Sequence, residues 1–319
     1  MSRYFYLLFI AILFFNCTKE NKPDVDVSGI DVNFNVERFD QAYYTSKPEQ
    51  LQALKEKFPY LFPVQTPDSI WIAKINDPDE QELFAESQKR YSGFEAEKAE
   101  LTDLFKHIKY YYPAFKAPEV ITLLSNVDYE NRVVYADSLL LISLDNYLGS
   151  GNKIYDDFPE YIKNKFNRDR IVVDVAEAIG SDQIPRPSTR SFVSNMVQAG
   201  KKKYLLDAYM PRVADSTKMG YSGKQIAWAE QNAGEVWKYF VQNKLLFSTD
   251  QELDRRFIDE APFSKFYMEN DNETPGSIGV WFGWQIVRAY MQNNESTLEQ
   301  MLSMNNEDLF NRSKFKPNR

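Results

Sequence analysis

The chain has 319 residues, 43% hydrophobic and 15% aromatic, which is enough apolar mass for one large domain or two small ones and too much for a disordered chain. Acidic residues outnumber basic ones by 46 to 38 and no basic stripe breaks that excess, so a nucleic-acid partner has no electrostatic support. A single histidine, His107, and a single cysteine, Cys17, leave too few ligands for an ordinary zinc site and no disulfide within the chain.

In chain order, Arg3 opens a short basic region, Tyr4 to Phe15 are apolar, and Thr18 to Pro23 turn polar at once, the pattern of a signal peptide over residues 1–16. Cys17 stands where a lipoprotein signal peptidase cleaves. Its sulfur would carry diacylglycerol and its new amino group a further acyl chain, and two or three chains hold a protein stably on a membrane. Phe14-Phe15-Asn16 occupy positions where small residues are usual, and the alternative is a plain secretory signal with a leftover cysteine. Residues 17–28 read as a lipidated tether and 29–319 as the folded domain.

The strict alternation from Asp31 to Glu37 predicts a strand with Val32, Phe34 and Val36 on one face, and Arg38-Phe39-Asp40 lead into a helix. Helical periods follow over Pro48–Phe58 and Asp79–His107, punctuated by Pro59, Pro63, Pro67 and Pro78. Glu119–Ser125, Arg132–Asp137 and Leu139–Leu144 read as strands, the last buried and ending at Asp145-Asn146. Pro159–Ile179, Ser188–Leu206, Ser222–Leu246 and Asp250–Phe257 return to helix. The fold class is therefore α+β, one mainly helical domain with a small sheet near the first half.

The stretch Thr274 to Met291 predicts a helix that is apolar nearly all round, with only Gln285, Arg288 and Gln292 forming a polar stripe. Gly279 and Gly283 would admit another backbone at close range, making this helix the hub of the core. It is too short and too interrupted to span a bilayer. The aromatics read as a core rich in Phe and Tyr, with exposed stacking platforms for peptides or sugars as the alternative.

Catalytic chemistry finds little footing. His107, four residues after Asp103, reads as a surface histidine. Gly220-Tyr-Ser-Gly223 lacks the G-x-S-x-G spacing, and no phosphate- or dinucleotide-binding glycine motif occurs, so no cofactor is expected. Carboxylates remain as candidates for Ca²⁺ binding or for acid and base roles: Asp145 at a strand end, Asp156-Asp157 in the next loop, and Asp174 with Glu177, three apart on one helix face. For each, a solvated or turn-forming carboxylate is the competing reading.

Cys17, Val36-Glu-Arg-Phe-Asp40, Leu144-Asp-Asn-Tyr-Leu-Gly149, Tyr204 through Pro211, Lys218-Met-Gly-Tyr-Ser222, Gln225 with Trp228, Ala261-Pro-Phe-Ser264 and Pro275-Gly-Ser-Ile-Gly-Val-Trp-Phe-Gly-Trp-Gln-Ile-Val-Arg-Ala-Tyr-Met291 together resemble the gliding motility lipoprotein GldB family of Bacteroidota. The resemblance implies a lipid-anchored protein of the cell envelope, facing the periplasm or on the outer membrane, that works with other gliding lipoproteins and with type IX secretion components and has no known enzymatic step. It also implies a distant, degenerate zincin-like (gluzincin-like) architecture, in which Arg170 to Ile179 stands where those peptidases carry H-E-x-x-H. On that basis the expectation is a non-catalytic scaffold without a bound metal, with Asp145, Glu177 and Arg288 lining a groove or partner-binding surface. A residual metal-independent hydrolase, or a peptide- or glycan-binding lipoprotein, is the alternative.

Overall fold

The computed structural model describes residues 23–136 and 138–317. The expected signal peptide, Cys17 and the start of the tether lie outside the described residues. The end of the tether, from Pro23, lies on the body: Val27 is buried and Asp24 is 3.7 Å from Arg212.

Val32 and Phe34 pack on the main core, Phe34 meeting Phe105 edge-on at 5.0 Å between ring centroids, so the alternation over 31–37 is a true burial pattern. Strand pairing nevertheless starts only at β1 (Val36–Arg38), because its partner strand begins at Glu119, just after Pro118, and offers no ladder further upstream. Four helices follow: α1 (Phe39–Tyr44), α2 (Leu51–Lys57), α3 (Asp68–Ile75) and α4 (Pro78–Arg90). They enclose a minor core in which Phe39, Tyr43, Phe58 and Phe62 cluster with Trp71. The helical period expected over 79–107 is two helices, α4 and α5 (Glu95–Tyr111), parted at Tyr91–Phe94. There the chain turns while both aromatic rings stay buried, and Arg38 holds the turn by donating to the Tyr91 carbonyl at 2.7 Å.

β2 (Glu119–Leu123), β3 (Val133–Ala136) and β4 (Leu139–Ser143) complete a four-stranded sheet of order β1-β2-β4-β3. β1, β2 and β4 run parallel, and β3 pairs antiparallel with β4 at one edge. The period of two divides the cores: Val120, Leu140 and Ile142 face the main core, while Ile121, Leu123, Leu139 and Leu141 face the minor one.

The rest is helical. The segment expected as one helix over 159–179 is α6 (Glu160–Lys163) and α7 (Arg170–Gly180); then come α8 (Phe192–Tyr209), α9 (Asp215–Met219), α10 (Gly223–Gln231), α11 (Ala233–Gln242), α12 (Glu252–Phe257), α13 (Ile278–Asn293), α14 (Leu298–Ser303) and α15 (Asn306–Ser313). α13 is the hub, and α8 is its main partner. A Cβ on Gly283 would lie 1.7 Å from the Met196 carbonyl oxygen, and one on Gly200 2.1 Å from the Gly283 carbonyl carbon, so the two helices touch backbone to backbone. Gly279 instead faces the Phe257 carbonyl at the end of α12.

Two expectations are corrected here. His107 is fully buried on α5, with Nδ1 2.8 Å from the Asp103 carbonyl, because Leu104, Phe105 and Ile108 beside it turn that whole arc of the helix inward. Arg288 is buried too, and only Gln285 and Gln292 of the expected polar stripe reach the surface.

Candidate functional site

α7 carries charge into the protein. Arg170 and Asp174, four residues apart, share a face and pair directly, both buried. Asp174 Oδ2 also accepts from Arg132 Nε at 2.9 Å, at the start of β3, and from the Tyr147 hydroxyl at 2.8 Å. One turn on, Glu177 accepts from Lys203 Nζ of α8 at 2.6 Å and lies 3.8 Å from Arg170. Arg170 further donates to the Thr217 and Lys218 carbonyls at 2.5 and 3.2 Å, and Lys203 to the Lys218 carbonyl at 2.8 Å. α9 is thereby fastened to α7 and α8.

Lys218 extends the network to the hub helix. Its ammonium donates to Asp207 of α8 at 2.8 Å; Asp207 also accepts from Trp284 Nε1 at 2.8 Å and from Arg288 Nε at 2.7 Å. Arg288 reaches on to Asp215 at 2.6 Å, and its guanidinium carbon sits over the Trp284 ring, 3.8 Å from its centroid. Five cations, Arg132, Arg170, Lys203, Lys218 and Arg288, thus meet four carboxylates, Asp174, Glu177, Asp207 and Asp215. Buried charge persists only with such pairing.

The electrostatics follow. Burial opposes charge on Arg170 and Arg288, but the neighbouring carboxylates outweigh it and raise both guanidinium pKa values. At Glu177 burial pushes the carboxyl up, whereas Lys203, Arg170 and Lys165 together bring it down to about 2. Its side chain is nonetheless 34% exposed, which makes it the point where the network meets solvent. Among the described residues, no group of three or more His, Cys, Asp or Glu side chains is placed to hold a metal ion.

The structure brings Glu177 and Arg288 into one network and leaves Asp145 elsewhere. Asp145 is fully buried after β4, and its carboxylate accepts the Ser125 N–H at 3.0 Å and the Val127 N–H at 2.6 Å. Burial pushes it up to about 6, against the pull of those two N–H groups. A carboxyl titrating there suits proton transfer; this one is spent on its own loop, where Asn126 and Val127 have φ of 58° and 56°. A β-branched residue takes that conformation only when its surroundings impose it. Asn126 is tied in turn to Glu80 of α4 at 3.1 Å. Asp156 and Asp157 are exposed and join neither cluster.

Sequence reasoning missed Arg132, Tyr147, Lys203, Asp207, Asp215 and Lys218. The available signal was charge inside otherwise apolar helical faces, as at Asp207 within Tyr204–Tyr209. Beside the network lies the margin of the sheet: among the described residues β3 pairs with β4 and with no other strand. Ser143 N donates to Arg132 O at 2.9 Å, and that phase turns the main-chain groups of the next residue, Val133, away from β4. Val134 there is 42% exposed.

Among the described residues no helix is long and apolar enough to cross a membrane. No curated protein and no solved structure matches the chain. A family model described as Gliding motility protein GldB matches residues 20–317, a span that takes in every described residue. The chain belongs to the gliding motility protein GldB family.

Proposed function

We propose that the chain is a non-catalytic, lipid-anchored component of the cell envelope. It serves gliding by docking an extended segment of another gliding or type IX secretion component along the open edge of β3, above α7. The observation that carries this reading is the pairing on α7: Asp174 is held by Arg170, Arg132 and Tyr147, and Glu177 by Lys203, directly beside a sheet edge with one neighbour. Paired carboxylates position structure, and an open edge offers main-chain groups to an added strand. The degenerate zincin reading draws support from the same arrangement. Arg170 and Asp174 have the i, i+4 spacing of the two histidines in H-E-x-x-H, on a helix packed against an antiparallel edge strand.

Cells carrying Glu177→Gln should glide normally, because that carboxylate lends charge and no chemistry. Loss of gliding in a Glu177→Gln protein that folds and reaches the envelope would contradict the non-catalytic reading. Cys17→Ala should release the protein from membranes, and normal membrane attachment in that variant would contradict the lipid anchor.

A further inference from the structure

Away from α7, helices α10 and α11 and the loop running into α13 enclose a pocket of about 460 Å³, within the size range of small-ligand sites. Trp228, Tyr239, Phe266 and Met268 form its walls. The loop is pinned at its base, where Ser264 N donates to Thr274 Oγ1 at 3.0 Å and Ser264 Oγ donates to the Pro275 carbonyl at 2.7 Å. At its tip the Asp271 carboxylate accepts the N–H groups of Tyr267 at 2.8 Å and Met268 at 3.3 Å. Tyr267 is held there at φ 62°, a left-handed conformation unfavourable for a bulky residue. Such strain persists where a loop is shaped to present its neighbours, and it is characteristic of ligand clamps. Here Phe266 and Met268 are presented to the pocket.

The rim is acidic. Glu235, Asp271 and Glu273 line it against one cation, Lys238. Lys238 lies 3.4 Å from Glu235 in an exposed i, i+3 pair, which leaves Asp271 and Glu273 without a compensating cation on the rim. The Glu273 carboxylate makes no hydrogen bond or ion pair among the described residues. The Tyr239 hydroxyl is already engaged with the Phe266 carbonyl and with Arg256, so it is not free to bind an occupant of the pocket.

We propose that this pocket receives a basic side chain, lysine or arginine, of a protein partner. Its charge would lie between the aromatic faces and the Asp271 and Glu273 carboxylates, and its aliphatic stem along Met268. Aromatic faces attract a desolvated cation, and two uncompensated carboxylates add to that attraction; an anion would be repelled, and a neutral apolar group would desolvate the carboxylates without return. The chain's own excess of acidic residues steers a basic partner in the same direction.

The test uses the full chain with ¹⁵N-labelled tryptophan, titrated in separate experiments with the blocked peptide Ala-Ala-Lys-Ala-Ala, its norleucine counterpart and a neutral disaccharide. The Trp228 indole signal, assigned by its loss in Trp228→Phe, should move with the lysine peptide. Affinity should fall about tenfold for the norleucine peptide and about threefold in Glu273→Gln, a change at an exposed position that leaves the fold intact. Equal response to norleucine or to the disaccharide, or no response to the lysine peptide, would overturn the proposal. None of these residues belongs to β3 or α7, so this outcome and the docking proposed there are read separately.

Discussion

Replacing Asp174 by Ala tests whether the charges on α7 are a structural lock. The side chain is 6% exposed, and its carboxylate holds Arg170, the Arg132 Nε at 2.9 Å and the Tyr147 hydroxyl at 2.8 Å. Without it Arg170, 3% exposed, keeps only the Thr217 and Lys218 carbonyls and a distant Glu177 at 3.8 Å, and the buried Tyr147 hydroxyl loses its acceptor. Arg132, nearer the surface, can turn to water. Breaking a buried pair from one side costs about 3–5 kcal/mol, a large share of the roughly 5–15 kcal/mol that holds a domain together. Glu177→Ala should cost only about 1 kcal/mol, since that carboxylate is partly solvated and Lys203 can follow it to water. The double change Arg170→Met with Asp174→Leu should recover only part of the loss: an apolar pair of similar bulk replaces the desolvated ion pair at little net cost, but the Tyr147 hydroxyl still lacks its acceptor and the Thr217 carbonyl its donor. Urea unfolding of the three purified variants, followed by circular dichroism and tryptophan fluorescence, gives these differences directly. An Asp174→Ala protein within about 1 kcal/mol of the parent, and no less stable than Glu177→Ala, would refute the reasoning.

The contact between α8 and α13 predicts that Gly283→Ala destabilises by about 3 kcal/mol or more, since the new Cβ would meet the Met196 carbonyl at 1.7 Å and backbone cannot swing aside; a variant melting like the parent would show that the helices part freely. Two carboxyls give opposite pH signatures. Asp145 is raised to about 6 from an ordinary value of 3.8, so between about pH 4 and pH 6 the folded state keeps a proton that the unfolded chain releases, and this group's contribution to stability falls as pH rises through that window. Glu177 is lowered to about 2, so its contribution is complete above about pH 4.5 and is lost as pH falls toward 2. Unfolding curves from pH 3 to 7 for Asp145→Asn and Glu177→Gln should diverge from the parent in these opposite senses, and parallel curves would contradict the assignment.

The sheet was legible because its strands alternate or run apolar between plain turn signals, and Leu139–Leu144 landed within one residue of β4. The hub helix was legible from its glycines, since Gly283 can be explained only by a backbone coming close. What periodicity cannot tell is what lies opposite a polar residue. Arg288 looked like part of a solvated stripe because its partner Asp207 is 81 residues away, and only the packing of α8 on α13 brings the two within 2.7 Å. His107 was misread for a related reason: its polarity suggested solvent, whereas it lies on the arc of Leu104, Phe105 and Ile108, which packs inward. α3, α14 and α15 were missed because each is short; α14 and α15 start at capping side chains, Thr297 and Asn305, whereas α3 follows Pro67 with no capping side chain. Asp145 was singled out from its place at a strand end as a groove or acid–base candidate; the structure buries it against the N–H groups of its own neighbouring loop, partners that could not be read from a sequence position.

The claim that partner docking runs along β3 is tested most directly by Val133→Pro, measured as gliding speed in cells that express the variant at the parent level. Proline there removes an N–H that points away from β4, so the sheet keeps its pairing and the fold its stability. The account predicts a folded, membrane-attached protein that no longer supports gliding. Gliding at the parental rate with this edge blocked would contradict it.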